Sequence, residues 1–207
     1  MKHRFAHIAV LPAVSAPVAS VWIPAIRAAS VWAATILTAM VLTAVTIPTT
    51  IGSALAATKQ TFLGQHGNWY TYRLKETSGL TCYMISKPVR TRGKFKKRGD
   101  VFAFITHRPK EGERDVVNFQ AGYTYKAKST VTVNIGDKSF PLTTSKDTAW
   151  SKKPADDKAM IKVMIKGNTM KAKGSPSRGG QITDTYSLRG FTSAYKKITR
   201  ACGLKLK

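Results

Sequence analysis

Apolar and polar side chains alternate along several short segments of this 207-residue chain. Alternation with a period of two is typical of β-strands that bury one face. The segment 131–135 follows this pattern, and the turn Gly136-Asp137-Lys138 leads from it into a second run with Phe140 and Leu142. This arrangement predicts a β-hairpin.

The other apolar runs predict further strands. The run at 101–105 contains no polar residue, which is typical of a strand covered on both faces. Turn residues separate these segments, most clearly the Gly/Ser/Pro-rich stretch at 174–180. The predicted strands are 68–72, 80–85, 101–105, 117–123, 131–135, 140–142, 170–173 and 182–188.

Two segments have helical periodicity instead. Between Pro154 and Gly167, a proline and two acidic residues suit the first helical turn, and apolar residues follow on one face. The second helix has an apolar stripe made of Phe191, Ala194, Tyr195, Ile198 and Cys202. We therefore expect a mainly β, antiparallel sandwich or barrel-like domain with two short helices, the C-terminal one tethered by a disulfide.

Residues 1–56 predict a signal peptide, and residues 57–207 predict a single domain. The segment 28–47 is uncharged and follows Arg27, and small residues then give an Ala-x-Ala site with cleavage after Ala56. The leader is expected to engage the membrane during export and to deliver the domain to the periplasm, the cell envelope or the medium. The alternative is an uncleaved membrane anchor, because about 20 apolar residues span a bilayer.

The chain has two cysteines, Cys82 and Cys202. In an exported domain two cysteines most often form a disulfide, whereas in the cytoplasm they would be free thiols or metal ligands. Cys202 has no other intramolecular partner than Cys82. We therefore predict a Cys82–Cys202 disulfide that ties the last helix to the opening hairpin.

The charge is strongly positive, with 34 Lys and Arg residues against 10 Asp and Glu and a formal net charge of +24. Three of the basic residues and none of the acidic ones lie in residues 1–56, so residues 57–207 carry 31 basic and 10 acidic residues. Such a charge favours anionic partners such as acidic phospholipid, lipopolysaccharide, acidic glycan or nucleic acid. It does not choose among them, and no specific nucleic acid is predicted. The alternative is that the charge serves solubility alone.

Six of these basic residues lie close together between positions 90 and 98, in a stretch that contains Gly93 and is followed by Gly99. This stretch is predicted to be a surface loop whose charges project into water, because burying an uncompensated charge is costly. It is the strongest candidate for anion binding, with Phe95 placed to stack on a base or to insert at a membrane surface. The alternative is a solvated hairpin loop without a ligand. The candidate residues are Arg90, Arg92, Lys94, Lys96, Lys97 and Arg98.

Catalytic motifs are not evident in the sequence. The Gly-rich stretch 174–180 lacks both the Gly-Lys-Ser/Thr of a phosphate-binding loop and the glycine spacing of a nucleophile elbow. His66 and His107 are the only histidines after residue 56, and neither has metal-ligand spacing to other donors. We predict no metal, no cofactor and no enzymatic activity. A hydrolase triad of a serine with His107 and Asp184 stays open as the alternative, because triads assemble in space.

Several blocks of sequence follow one another between Trp69 and Cys202. They are Cys82-Tyr83 with Ser86-Lys87-Pro88, Lys97 to Asp100, Phe104 to Pro109, Gly122-Tyr123, Thr148-Ala149-Trp150, Met170-Lys171, Gly174-Ser175, Ser177-Arg178-Gly179, Asp184 to Leu188 and Gly190-Phe191-Thr192. In these blocks the chain resembles the invasion-associated locus B (IalB) family of alphaproteobacterial envelope proteins.

The resemblance implies an exported, periplasmic or envelope-associated domain, linked in some pathogens to host-cell invasion. It implies no established enzymatic activity and offers no catalytic residues. We therefore expect a non-catalytic envelope protein with an anionic envelope or host component as a possible partner. The alternatives are an uncharacterised periplasmic enzyme and a subunit of an envelope complex.

Overall fold

The computed structural model describes residues 59–94 and 97–206. The predicted leader, residues 1–56, therefore lies outside the described residues. Eleven strands and two α-helices occur within the described ranges, with a short 3₁₀ turn at Pro109–Glu111. The strands and helices are β1 (Lys59–His66), β2 (Trp69–Glu76), β3 (Gly79–Ser86), β4 (Arg90–Arg92), β5 (Phe102–Arg108), β6 (Glu113–Gln120), β7 (Thr130–Ile135), β8 (Lys138–Ser145), β9 (Thr148–Trp150), α1 (Pro154–Lys166), β10 (Thr169–Gly174), β11 (Ile182–Ser187) and α2 (Phe191–Ala201).

The described strands form one antiparallel sheet in the order β1-β2-β3-β5-β6-β9-β8-β7-β10-β11-β4. β1 and β4 are its two edges. The ring of Phe119 on β6 contacts the ring of Tyr186 on β11 with centroids 5.7 Å apart, although four strands separate them in the sheet. The sheet therefore folds over on itself like a sandwich. The predicted mainly β, antiparallel class with two short helices is confirmed.

Both helices pack onto the sheet, and α2 does so through the apolar stripe that its periodicity predicts; in α1 the apolar residue Ala159 is exposed. α1 lies against β6 and β8 and buries Met160, Ile161 and Met164. α2 lies against β1, β2, β3 and β5, and the apolar stripe that starts at Phe191 is buried. In the part of the chain that the structure describes, no helix is long and apolar enough to cross a membrane.

Three strands were not predicted. β1 is largely exposed, with one bulge between Phe62 and Gly64, and only Phe62 and Leu63 in it are strongly apolar. β4 lies within the predicted loop 90–98, and β9 spans three residues. Edge and short strands are stabilised by backbone hydrogen bonds to a neighbour, and such bonds require no apolar alternation in the sequence.

The C-terminal end of α2 is fixed by the predicted disulfide, which is confirmed. Cys82 on β3 is bonded to Cys202, the residue after α2, with the two Cα atoms 5.8 Å apart. Both side chains are buried, and 120 positions separate them in the sequence. The last helix is thus covalently attached to the third strand.

The N-terminal end of α2 is fixed by close backbone contact with the turn between β1 and β2. The Asn68 N–H donates to the Arg189 carbonyl oxygen at 3.1 Å. Gly67 and Gly190 both have positive φ, and a Cβ at Gly190 would lie 2.0 Å from the His66 carbonyl oxygen. Only glycine permits both this conformation and this approach. α2 is therefore held at both ends.

A buried polar cluster lies beside the disulfide. His107 pairs with Cys82 across β5 and β3, and its side chain is fully buried. Its Nδ1 accepts the backbone N–H of Asp115 at 3.1 Å, so the neutral ring carries its proton on Nε2 and donates to Thr199 Oγ1 at 3.2 Å. The Tyr195 hydroxyl donates to the Asp115 carboxylate at 2.7 Å. The imidazole therefore links β5 to β6 and α2 in its neutral form.

This cluster predicts a loss of stability in acid. Burial lowers the pKa of His107 to about 4; the Asp115 charge opposes this effect, and the Arg114 charge adds to it. The ordinary value in an unfolded chain is about 6.5. Between these values the unfolded chain binds a proton that the folded protein does not, so the free energy of unfolding falls as pH drops from about 6.5 towards 4. We expect His107 to account for a loss of about 3 kcal/mol, measured by urea unfolding at both ends of that range.

The matched variant is His107→Gln, which keeps a polar amide but has no charge to gain. Carboxylates also titrate in this range, so the informative quantity is the acid-induced loss of stability in the wild type minus that in the variant. We expect a clearly positive difference. Equal losses in the two proteins would show that the histidine is not held neutral.

Candidate anion-binding surfaces

The predicted basic loop begins as an edge strand. In the register of β4 and β11, Arg92 pairs with Thr183 and Arg90 pairs with Thr185. Both arginine side chains are exposed. A very short, cationic edge strand resists pairing with a strand of another molecule. Arg90 and Arg92 therefore present charge from positions fixed by the sheet, which corrects the loop prediction for these residues, whereas the described residues 93, 94, 97 and 98 lie outside any strand as predicted.

Two more candidate cations, Lys94 and Lys97, are exposed just after this strand. Lys96 and Phe95 lie outside the described residues. Arg90, Arg92, Lys94 and Lys97 form no ion pair with the residues that the structure describes. We refer to these four as the β4-edge cations.

Arg98 does not project into water, and that prediction is wrong for it. Its side chain is 6% exposed and forms a two-pronged ion pair with Asp184, whose side chain is 8% exposed. Nη1 donates to Oδ1 at 2.8 Å, Nη2 donates to Oδ2, and Nε donates to the Ala121 carbonyl oxygen at 2.7 Å. The Arg98 charge can be buried because Asp184 compensates it. The sequence of residues 90–98 alone does not show this pairing.

The Arg98–Asp184 pair joins three segments of the chain. Thr91 on β4 donates its hydroxyl to Asp184 Oδ1 at 2.7 Å, and the Tyr123 ring centroid lies 5.1 Å from the Arg98 guanidinium. Burial disfavours the charged guanidinium, but the hydrogen bond and charge of Asp184 outweigh it and raise the pKa of Arg98. Arg98 therefore positions β4 beside β11 and is not available to an external anion.

The triad that the sequence left open as a hydrolase site is contradicted by the geometry of two of its members. His107 uses both ring nitrogens within the cluster beside the disulfide, and Asp184 is paired with Arg98. A triad of a serine with His107 and Asp184 is therefore not assembled. Between residues 59 and 206, positions 95 and 96 apart, no three His, Cys, Asp or Glu side chains lie together as a metal site would require.

A second cationic surface lies on another part of the fold. A groove of about 580 Å³ runs between α2 and the β1–β2 hairpin. Its lining contains four Lys and Arg side chains, one histidine and no carboxylate. The lining residues are Leu63, His66, Arg73, Ser193, Lys196, Lys197, Arg200 and Ala201.

The basic residues converge because of helix periodicity and strand register. Ser193, Lys196, Lys197 and Arg200 recur every three or four residues, so they share the face of α2 next to its buried stripe. Arg73 on β2 is the register partner of Cys82, the residue that anchors the end of α2. The disulfide therefore brings the basic face of the helix to the arginine of the strand.

The sequence did not predict this groove. Positive charge near the C-terminal end of a helix interacts favourably with the helix dipole, so the helical cations alone do not indicate a binding site. Arg73 lies more than 120 positions earlier than Lys196 in the sequence. The one local signal is the helical spacing of Ser193, Lys196, Lys197 and Arg200, and that spacing does not say which strand the face would meet.

The sequence was also compared with known proteins. Residues 69–199 match the family model described as invasion associated locus B (IalB) protein. The crystal structure of invasion associated protein b from Bartonella henselae aligns with a TM-score of 0.48 and 14% identity, over 68% of this chain and 97% of that chain. No curated protein matches significantly. Since the family match covers more than half of the sequence, the chain belongs to the invasion associated locus B (IalB) protein family.

Proposed function

We propose that this protein is exported and acts in the cell envelope as a non-catalytic binding protein. Its partner is an anionic component of the envelope or of a host surface, held through the β4-edge cations. The observation that carries the proposal is the placement of four exposed basic side chains on one edge segment without acidic partners in the described residues. Family membership is compatible with this role.

Export is supported by two independent features. The first is the sequence of residues 1–56, with its basic start, apolar stretch and Ala-x-Ala site. The second is the buried Cys82–Cys202 disulfide, because such bonds persist in oxidising compartments outside the cytoplasm.

The chemistry of the edge supports an anionic partner. Arg90 and Arg92 belong to the sheet through their backbones, so their guanidinium groups start from fixed positions. Arginine offers several donors that match carboxylate or phosphate oxygens. Lys94 and Lys97 add charge at the same end of the sheet. Like charges held together repel, and an anion placed among them relieves that repulsion.

A non-catalytic role is supported by the use of the polar side chains. His107 accepts the backbone N–H of Asp115 and donates to Thr199, and the Asp115 carboxylate accepts from Tyr195. Asp184 holds Arg98. These groups are therefore engaged in contacts within the fold.

Binding through the edge predicts a specific loss. The variant in which Arg90, Arg92, Lys94 and Lys97 are all replaced by Ser should bind anionic envelope vesicles more weakly. The slope of log affinity against log salt should also fall, because fewer counterions are released on binding. Both quantities are measured by vesicle co-sedimentation at several salt concentrations.

The matched control removes the same charge from α1 and the residues just before it, where Lys152, Lys153, Lys158 and Lys162 are exposed. The variant with these four lysines replaced by Ser should bind the vesicles more tightly than the β4-edge variant does. Equal losses in the two variants would mean that the net charge acts without a defined surface, and the proposed edge would be rejected.

Export predicts a processed protein. Expressed in a Gram-negative cell, the chain should be found in the periplasmic or envelope fraction with Ala57 at its N-terminus, as read by N-terminal sequencing. Replacing Ala54 and Ala56 by bulky residues should leave the leader attached, because the cleavage site accepts small side chains. A wild-type protein that stays cytoplasmic with two reactive thiols would refute export.

A further inference from the structure

We infer that the groove between α2 and the β1–β2 hairpin is a binding site for a phosphate group carried on a small organic moiety. The site is distinct from the β4-edge cations, because none of those four residues lines the groove. The inference therefore does not depend on the proposed function of that edge.

The charge of the groove points to an anion. Arg73, Lys196, Lys197 and Arg200 line it together, and none of them forms an ion pair with the residues that the structure describes. Positive charges brought together in a concave surface raise the local concentration of anions. No carboxylate in the lining compensates them.

The donor types favour phosphate. Arg73 and Arg200 are planar donors suited to two oxygens of one phosphate, and Lys196 and Lys197 supply compact point charges. Ser193 adds a hydroxyl on the same helix face. Four cations match the double charge of a phosphate monoester better than the single charge of a carboxylate.

The shape favours more than an inorganic ion. About 580 Å³ lies within the range of small-molecule sites and exceeds the volume of a phosphate alone. Leu63 and Ala201 supply apolar lining beside the cations. The ligand is therefore a phosphate on a glycerol- or sugar-sized group, which is either a soluble phosphate ester or the headgroup of a membrane lipid.

The groove is preformed. Its helical wall is fixed at one end by Cys202 and at the other by the contact of Gly190 with His66, and its strand wall carries Arg73 beside the anchoring Cys82. A site with a fixed backbone loses conformational freedom only in its side chains when a ligand binds. Binding is thus expected to require no rearrangement of the backbone.

The test uses purified protein with the disulfide intact and two probes. Glycerol 3-phosphate is titrated by calorimetry, and phosphatidylcholine vesicles with and without phosphatidic acid are tested by co-sedimentation. Saturable binding of glycerol 3-phosphate identifies a soluble ester as sufficient. Binding to phosphatidic acid vesicles alone identifies a lipid headgroup at a membrane surface. Either result supports the phosphate site when the groove variant described below weakens it, because anionic vesicles are also expected to bind the β4-edge cations. Binding of neither probe, or binding that the groove variant leaves unchanged, overturns the site.

The decisive variant is Arg73→Gln with Arg200→Gln, which keeps polar side chains at exposed positions. We expect affinity to fall by about tenfold or more for each guanidinium removed. Lys158→Gln with Lys162→Gln removes the same charge from α1 and should change affinity by less than about twofold, the level expected of distant, screened charges. Equal affinities of the groove and α1 variants would refute the inference.

Further controls test whether a loss of binding comes from misfolding or from the β4-edge cations. Lys197→Glu, which reverses one exposed charge of the groove, should weaken binding as well, and near-ultraviolet circular dichroism should match the wild type for every variant. Arg90→Gln with Arg92→Gln should leave glycerol 3-phosphate binding unchanged. Loss of binding in this last variant would place the phosphate at the β4 edge and overturn the groove site.

Discussion

The attachment of α2 to the sheet at both of its ends is the constraint on which the rest of the structure depends. Backbone hydrogen bonds between strands fix the position of each strand, but no such bonds fix a helix. The position of α2 therefore depends on its buried side chains and on two points of attachment. One point is the Cys82–Cys202 disulfide, and the other is the glycine-mediated contact between Gly190 and the β1–β2 turn. Between them the buried stripe of α2 covers β2, β3 and β5 and shields the polar cluster around His107. A disulfide that closes so long a loop lowers the conformational entropy of the unfolded chain and also fixes the helix in the native structure.

The positive charge of the domain falls into distinct classes once the fold is known. Arg98 is compensated by Asp184 and joins β4, β11 and the segment after β6, so its charge serves structure. The β4-edge cations and the basic groove residues have no such partners in the described chain. Cations that are neighbours in the sequence can therefore differ in whether they are buried or are available to a ligand. A cation is buried where the fold places a compensating carboxylate beside it.

The sequence predicts those features whose causes are local. The β7–β8 hairpin follows from alternation around Gly136, and α2 follows from the spacing of Phe191, Ala194, Tyr195 and Ile198. The disulfide follows from there being two cysteines in a chain whose first 56 residues predict a signal peptide. By contrast, the partner of Arg98 lies 86 positions away, and Arg73 meets Lys196 and Arg200 only after the sheet and helix have packed. Edge strands β1 and β4 escaped prediction because backbone pairing holds them and apolar burial contributes little.

The central claim is that one disulfide holds the last helix on the sheet, and the free energy of unfolding tests it most directly. Urea unfolding of the oxidised protein is compared with that of the protein after reduction and alkylation of both cysteines. For a loop of this length, with 120 positions between the cysteines, the oxidised form should be more stable by about 5 kcal/mol. Equal stabilities, together with two thiols that react before any reductant is added, would contradict the account.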